Sequence, residues 1–131
     1  MESPVSLMIL IAGPYRSGTG DDPAKLAANV KAMEAFALPI FRAGHIPVVG
    51  EWLALPLATL AGSQGVGDEI FNEIFHPIAE RILARCDGVL RVGGPSRGAD
   101  QMVEIARQKG LRTFRRLQEV PGCESIPEAI S

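Results

Sequence analysis

The chain has 131 residues, 47% of them hydrophobic but only 5% aromatic, so we expect one domain with a core of alanine, leucine, isoleucine and valine. Its 13 basic and 15 acidic residues give a net charge of −2 without a dense basic cluster, which argues against binding to a nucleic-acid polymer or a membrane surface. We also expect no signal peptide, no membrane span and, with two cysteines far apart in the sequence, a reduced cytoplasmic protein.

Short apolar runs alternate along the chain with stretches of helical periodicity. Four strands are predicted, over residues 5–12, 45–49, 88–92 and 111–114. Helices are predicted from Pro23 to about Ala43 with a kink at Pro39, then over residues 70–83 and 98–110. Residues 50–67 show no clean period and are expected to be irregular or briefly helical, and a loose tail is expected from about 121.

This alternation of strands and helices predicts parallel βαβ units. We therefore expect a three-layer α/β/α sandwich with a small, doubly wound parallel sheet in the strand order 2-1-3-4. In that order strands 1 and 3 are neighbours where the order reverses, and ligands bind beyond the carboxyl ends of the strands at such a point. Both strands end in glycine-containing loops, over residues 13–18 and 93–98. The second loop leads into a helix N-terminus, which attracts anions, so a single site for a sugar or phosphate ligand is predicted.

The familiar nucleotide motifs are incomplete in these loops. Gly13 and Gly18 have the spacing of a P-loop, but the lysine that must follow is absent, and no GxGxxG follows the first strand. We therefore do not expect a nucleoside triphosphate or a dinucleotide as the ligand.

Four segments, in this order and spacing, resemble the nucleoside 2-deoxyribosyltransferase-like superfamily: ILIAGPYRSG, RAGHIPVVGEW, RCDGVLRVGGPSRGAD and GLRTF. That superfamily includes deoxyribosyltransferases and nucleoside 5′-monophosphate N-glycosidases. The resemblance implies a single domain over residues 1–131 that binds a small-molecule nucleoside or nucleotide. It further implies transfer or hydrolysis of the N-glycosidic bond, with no cofactor and no metal.

The catalytic carboxylate of the resembled enzymes has no clear counterpart here. Their nucleophilic glutamate usually stands four residues after the glycine that matches Gly98, where this chain has Met102. Met102 lies on an apolar helical stripe, so we interpret it as core or as the floor of a pocket. Glu104 is turned about 200° away from it along the helix and is expected to be solvated. Glu104, Glu80 and Asp68 remain candidate catalytic carboxylates, and the sequence does not choose among them.

The resemblance also implies which residues bind the substrate. Gly13, Pro14 and Tyr15 would line the sugar, and Arg16 would meet a phosphate. The phosphate end would further be held by three consecutive residues, Ser96, Arg97 and Gly98. A serine at this position is typical of the monophosphate-hydrolysing branch, although Ser96 is also an ordinary helix cap.

Other polar and aromatic residues have two interpretations each. Glu51 and Trp52 follow strand 2 at the same edge of the sheet, and Trp52 would either stack on a base or plug the apolar segment behind it. On the second helix, Glu73 and His76 have the spacing of half a di-iron motif, but one copy is not a site. We expect the face that carries them to be solvated.

The sequence leaves two alternatives open, one for the assembly of the protein and one for its function. The segment 52–60 is too apolar to lie fully exposed on a monomer, which favours a homo-oligomer (a dimer or a tetramer) over packing inside its own domain. Because Met102 replaces the expected nucleophile, a catalytically silent nucleotide-binding or sensing module is the alternative function.

Overall fold

The computed structural model describes residues 5–128, which form an α/β fold around one parallel sheet. The strands are β1 (Met8–Ala12), β2 (Ile46–Val49), β3 (Gly88–Arg91) and β4 (Arg112–Phe114), in the order β2-β1-β3-β4. The helices are α1 (Pro23–Glu34), α2 (Ala37–Arg42), α3 (Glu51–Leu60), α4 (Glu69–Leu83) and α5 (Arg97–Gln108), followed by a 3-10 turn at Leu117–Glu119. The predicted fold class and strand order are confirmed.

Two hydrophobic clusters, one on each face of the sheet, form the three layers. Successive residues of β1 point to opposite faces, so Ile9 and Ile11 enter the first cluster while Leu10 and Ala12 enter the second. The first cluster packs against α1 and α2, and the second packs against α4 and α5. A third, smaller cluster joins α1, α3 and α4 beyond the carboxyl end of β1 and includes Tyr15.

The first helical stretch is two helices rather than one kinked helix. Helix α1 ends at Glu34 and α2 begins at Ala37, so the predicted single helix with a kink at Pro39 is wrong. Pro39 lies in the first turn of α2, where its missing N–H leaves no intrahelical hydrogen bond unmade. Proline therefore fits near the start of a new helix instead of bending an existing one.

The segment without a clean period contains a regular helix. Helix α3 covers ten residues, with Pro56 in its interior. Ala54 and Ala58 are its buried contacts, while Leu53 and Leu57 on other faces remain exposed. Since the small residues point inward and large apolar ones point outward, hydrophobicity alone does not show the helical period.

The C-terminal segment is packed, which corrects the predicted loose tail. Val120 and Cys123 are fully buried in the first cluster, and Ile126 packs against it. His45 lies beneath this segment: its Nδ1 accepts from the Leu7 N–H at 3.0 Å, and its Nε2 lies 2.7 Å from the Pro121 carbonyl oxygen. The prediction failed because only a few widely spaced apolar side chains anchor the segment. Predictions for residues 1–4 and 129–131 concern positions outside the described range.

Within residues 5–128, every helix is too short or too polar to cross a lipid bilayer.

Candidate functional site

A cavity of about 640 Å³ opens at the carboxyl ends of the first three strands. Its walls come from the loop after β1, the first turn of α3, the middle of α4 and the first turn of α5. Cavities of this size accept small organic ligands. The position agrees with the point where the strand order reverses, as the sequence predicted.

The wall formed by α5 carries hydrogen-bond donors and a cation. Ser96 is the N-cap of α5, and its Oγ accepts from the Ala99 N–H at 3.1 Å. The exposed Arg97 follows it and lines the cavity, as does Gly98. The first N–H groups of a helix have no intrahelical acceptor, so this wall is suited to an anion. Ser96, Arg97 and Gly98, which were predicted to hold a phosphate, all line the cavity at this wall.

Gly98 also shows how closely α4 approaches α5. A Cβ added at Gly98 would lie 3.1 Å from the His76 Cε1, which is tighter than ordinary van der Waals contact. His76 lines the cavity and makes an edge contact with the Phe75 ring, at a centroid distance of 5.4 Å. His76 is exposed, as our interpretation of this helix face as solvated predicts, but the sequence did not show that it also lines the cavity. The periodicity of α4 could not show this, because it depends on how α4 is oriented against α5.

The loop after β1 brings a cation that is already paired. Arg16 forms a two-pronged ion pair with Asp21, with Nε 2.9 Å from Oδ1 and Nη2 2.8 Å from Oδ2. The Arg16 hydrogen bond holds the pKa of Asp21 below its usual value. Asp21 has a φ of 60°, in the left-handed region that aspartate tolerates better than most residues. Gly13, Tyr15 and Arg16, three of the four residues predicted for this loop, line the cavity together with Asp21.

The opposite wall contains a buried acid. Glu51 is the first residue of α3, it lines the cavity, and only 8% of it is exposed. Burial raises the pKa of the Glu51 carboxyl to about 7, although a hydrogen bond from its own backbone N–H acts in the opposite direction. Within residues 5–128, the acidic residues that line this cavity are Asp21 and Glu51. Because Asp21 is held by Arg16, Glu51 is the acid available to a ligand.

Aromatic rings line the cavity between the α5 wall, which carries Arg97, and the α3 wall, which carries Glu51. Tyr15 stacks on Phe75 at a centroid distance of 5.3 Å, and Phe75 stacks on Phe71 at 4.7 Å. All three residues line the cavity. Burial, followed by the negative charge of Glu51, raises the pKa of the Tyr15 hydroxyl. The sequence placed Phe71 and Phe75 only on a buried stripe, so their contribution to the site was missed.

Trp52 and Pro14 lie outside the lining of the cavity. The Trp52 Nε1 donates to the Glu34 Oε2 at 2.7 Å, on the side of α3 that faces the end of α1. Neighbouring residues of a helix are about 100° apart, and on α3 Glu51 faces the cavity while Trp52 is directed toward Glu34. The Pro14 ring lies close to Gly93, where an added Cβ would be 2.7 Å from the Pro14 Cδ.

The three candidate catalytic carboxylates also lie elsewhere. Asp68 caps α4, accepting from the Phe71 N–H at 2.7 Å, and these backbone bonds lower its pKa. Glu104 is exposed, as its helical position predicted, and it pairs with Arg107 at 3.4 Å. Glu80 is exposed and outside the lining. Met102, by contrast, is buried and forms part of the cavity wall, in agreement with its interpretation as a pocket floor.

No cluster of three or more histidine, cysteine or acidic side chains suited to a metal ion is found among residues 5–128. Comparison with models of known protein families finds no match, and a search of curated proteins finds no significant relative. The superfamily resemblance therefore rests on the motif residues themselves.

Proposed function

We propose that this chain binds a nucleoside 5′-monophosphate and acts on its N-glycosidic bond, by hydrolysis or by transfer of the (deoxy)ribosyl group. The observation that carries the proposal is that the two ends of one cavity differ in chemistry. Cationic and donor groups lie where β3 leads into α5, and a buried acid lies where β2 leads into α3. Because β1 separates these strands, the two ends are about 10 Å apart.

The α5 end suits the phosphate. The helix N-terminus, Arg97 and the cavity-facing His76 offer N–H donors to the oxygens of a phosphate. Ser96 adds a small neutral side chain instead of a carboxylate, so no negative charge there repels the phosphate. In the resembled superfamily, a serine at this place accompanies 5′-phosphorylated substrates.

The middle of the cavity and its α3 end suit the sugar and the base. Gly13 brings bare backbone to the cavity beside β1, where a Cβ would already lie 3.0 Å from Val92. The stacked Tyr15 and Phe75 rings give an apolar surface next to it. Glu51 would then meet the base, since it lies beyond β1 from the phosphate end.

Base release is the direct test of this proposal. Purified protein would be incubated with the common ribonucleosides, deoxynucleosides and their 5′-monophosphates, and the free base would be separated by chromatography. We expect the protein to release the base from at least one 5′-monophosphate, and to do so faster than from the matching nucleoside. In Arg97→Ala this preference for the phosphorylated substrate should be weaker. No base from any substrate at high protein concentration would contradict the enzymatic proposal.

A catalytically silent nucleotide-binding module is the second candidate, and one observation favours it. Met102, an uncharged residue, lines the cavity one helical turn after Gly98, where the resembled enzymes carry their nucleophile. A silent module would show a rise in melting temperature with a 5′-monophosphate but no turnover. Activity gained in Met102→Glu and not in the uncharged Met102→Gln would support silencing of an otherwise intact site.

We propose in addition that the chain forms a homo-oligomer, a dimer or a tetramer. Large apolar side chains are exposed along α3, including Leu53 at 47% and Leu60 at 82%. Exposed apolar surface of this kind commonly marks an interface. Light scattering on the purified protein should give a multiple of the chain mass, and Leu57→Glu on the same helix should lower it. A single-chain mass at micromolar concentration would contradict this proposal.

We also propose a cytoplasmic location. Cys86 and Cys123 are free thiols, each buried in one of the two main clusters, and a reducing compartment preserves such thiols. Fractionation of expressing cells should place the protein with cytosolic markers, and recovery in a membrane or secreted fraction would contradict it.

A further inference from the structure

Resting on the proposed function, we propose that Glu51 is the general acid that protonates the departing base, and that water attacks the sugar directly without a covalent intermediate at Met102. The reaction would then be hydrolysis rather than transfer between bases.

The place of Glu51 in the sheet supports a contact with the base. A phosphate at the first turn of α5 lies beyond β3, Gly13 lies beyond β1, and Glu51 lies beyond β2. Neighbouring strands are about 4.8 Å apart, so Glu51 is too far from the α5 end to contact the same phosphate. A nucleotide laid across the three strands puts its sugar near Gly13 and its base near Glu51.

The surroundings of Glu51 favour the neutral acid before the reaction. The other titratable or charged side chains that line the cavity are Tyr15, Arg16, Asp21, His76 and Arg97. Arg16 is held by Asp21, and Arg97 belongs to the far end. Burial therefore dominates and raises the pKa of Glu51 to about 7, which is near the optimum for a general acid at neutral pH. The N-terminus of α3 then favours the carboxylate that proton transfer leaves behind.

The chemical step balances with water as the only co-reactant. The bond between the sugar C1′ and the base nitrogen breaks, and its electron pair goes to the base, which takes the proton of Glu51. The oxygen of a water molecule bonds to C1′, and a proton of that water passes through solvent back to the Glu51 carboxylate. The products are the free base and a sugar 5-phosphate with a hydroxyl at C1. The Met102 thioether provides no carboxylate to form a sugar ester.

Glu51→Gln distinguishes a general acid from a nucleophile or a structural residue when substrates with two different leaving groups are compared. One substrate is the nucleoside 5′-monophosphate that the wild type cleaves best, and the other is the same sugar 5-phosphate with 4-nitrophenolate at C1, which leaves without a proton. Glu104→Gln, at an exposed acid outside the cavity, is the matched control. We expect Glu51→Gln to lose roughly 10²- to 10⁴-fold in kcat/KM on the nucleotide and to remain close to wild type on the nitrophenyl substrate. The wild-type kcat/KM on the nucleotide should fall as the pH rises through about 7, following the pKa of Glu51.

Each alternative result overturns a defined part of the proposal. Equal loss on both substrates would make Glu51 a nucleophile or a structural residue, and no loss on the nucleotide would remove it from the reaction. Formation of a new nucleotide when a second free base is added would overturn direct attack by water. If Glu51→Gln does not fold, a wild-type rate that stays constant between pH 6 and 9 overturns the acid role. A wild type that releases no base from any nucleotide overturns the proposed function itself, whereas the other results leave it standing.

Discussion

Helices α3 and α5 both begin at the rim of the same cavity, yet their N-termini present opposite chemistry to a ligand. The start of α5 is capped by Ser96 and followed by Arg97. The acid of its first turn, Asp100, pairs with Arg91 and does not line the cavity, so a ligand would supply the negative charge inside the cavity at this end. The start of α3 has Gly50 at the cap position, without a side-chain cap, and then Glu51. There the protein supplies the acid itself. Under the proposed function, the same backbone feature would bind an anion at α5 and hold a proton donor at α3.

Burial decides the state of the acid on α3. A helix N-terminus on its own lowers the pKa of a nearby carboxyl, as the backbone bonds do for Asp68 at the cap of α4. Glu51 has the same kind of position, but the cavity wall covers it and its pKa rises to about 7. Removal from water is therefore the stronger influence at Glu51.

The largest effect we expect from this difference is a pH-dependent change in stability. The pKa of Glu51 is about 7 in the folded protein and 4.5 in the absence of burial, so folding favours the protonated form. The stability of the wild type relative to Glu51→Gln is therefore highest below about pH 4.5 and is lost as the pH rises through about 7. The full loss corresponds to about 3 kcal/mol.

Urea denaturation of wild type and Glu51→Gln at pH 5, 7 and 9 measures the difference in their free energies of unfolding. The contributions of all other titrating groups are the same in both proteins and cancel in this difference. The free energy of unfolding of the wild type should fall relative to the variant over that range. Glu104→Gln should follow the wild type at every pH. Parallel curves for wild type and Glu51→Gln would show that the carboxyl is not destabilised by burial.

The next largest effect is expected at the cap of α5. Ser96→Ala removes the bond to the Ala99 N–H and should lower the free energy of unfolding by about 1 kcal/mol. Ser96→Asp keeps a good cap and should preserve stability, but it places a negative charge at the proposed phosphate site. Titration calorimetry should then show weaker binding of a nucleoside 5′-monophosphate, with less change for the nucleoside. Equal weakening of both ligands would argue against a phosphate at this helix.

The difference between the α3 wall and the α5 wall also shows which features of the site can be predicted from the sequence. The α5 wall was predicted because its signals are local: a strand, glycines, a cap residue and a helix follow one another within residues 88–108. The strand order followed from the alternation of strands and helices. The state of Glu51 could not be predicted in this way, because its burial depends on how distant parts of the chain cover it.

The α4 wall illustrates the same limit. Phe75 and His76 lie next to each other in the sequence, and both line the cavity. Periodicity assigned Phe75 to the core and His76 to solvent, and both assignments hold, since Phe75 packs against the third cluster and His76 is exposed. Periodicity does not contain the angle at which α4 crosses the mouth of the cavity, so it could not show that both residues line it. The position of Trp52 was missed for another reason: residues 50–67 were expected to be irregular or only briefly helical, so the faces of their side chains could not be assigned.

The smallest effect is expected at Trp52, and it separates the two sides of α3. Trp52 is 41% exposed, and its hydrogen bond to Glu34 lies on the surface, so Trp52→Phe should change the free energy of unfolding by less than about 1 kcal/mol. Binding of a nucleoside 5′-monophosphate should not change, because the side chain does not line the cavity. Phe75→Leu is the contrasting variant: it removes a ring that stacks on Tyr15 and should weaken binding. Titration calorimetry on both variants tests this expectation. If Trp52→Phe lost as much affinity as Phe75→Leu, the base would have to contact Trp52, and the ligand would lie outside this cavity.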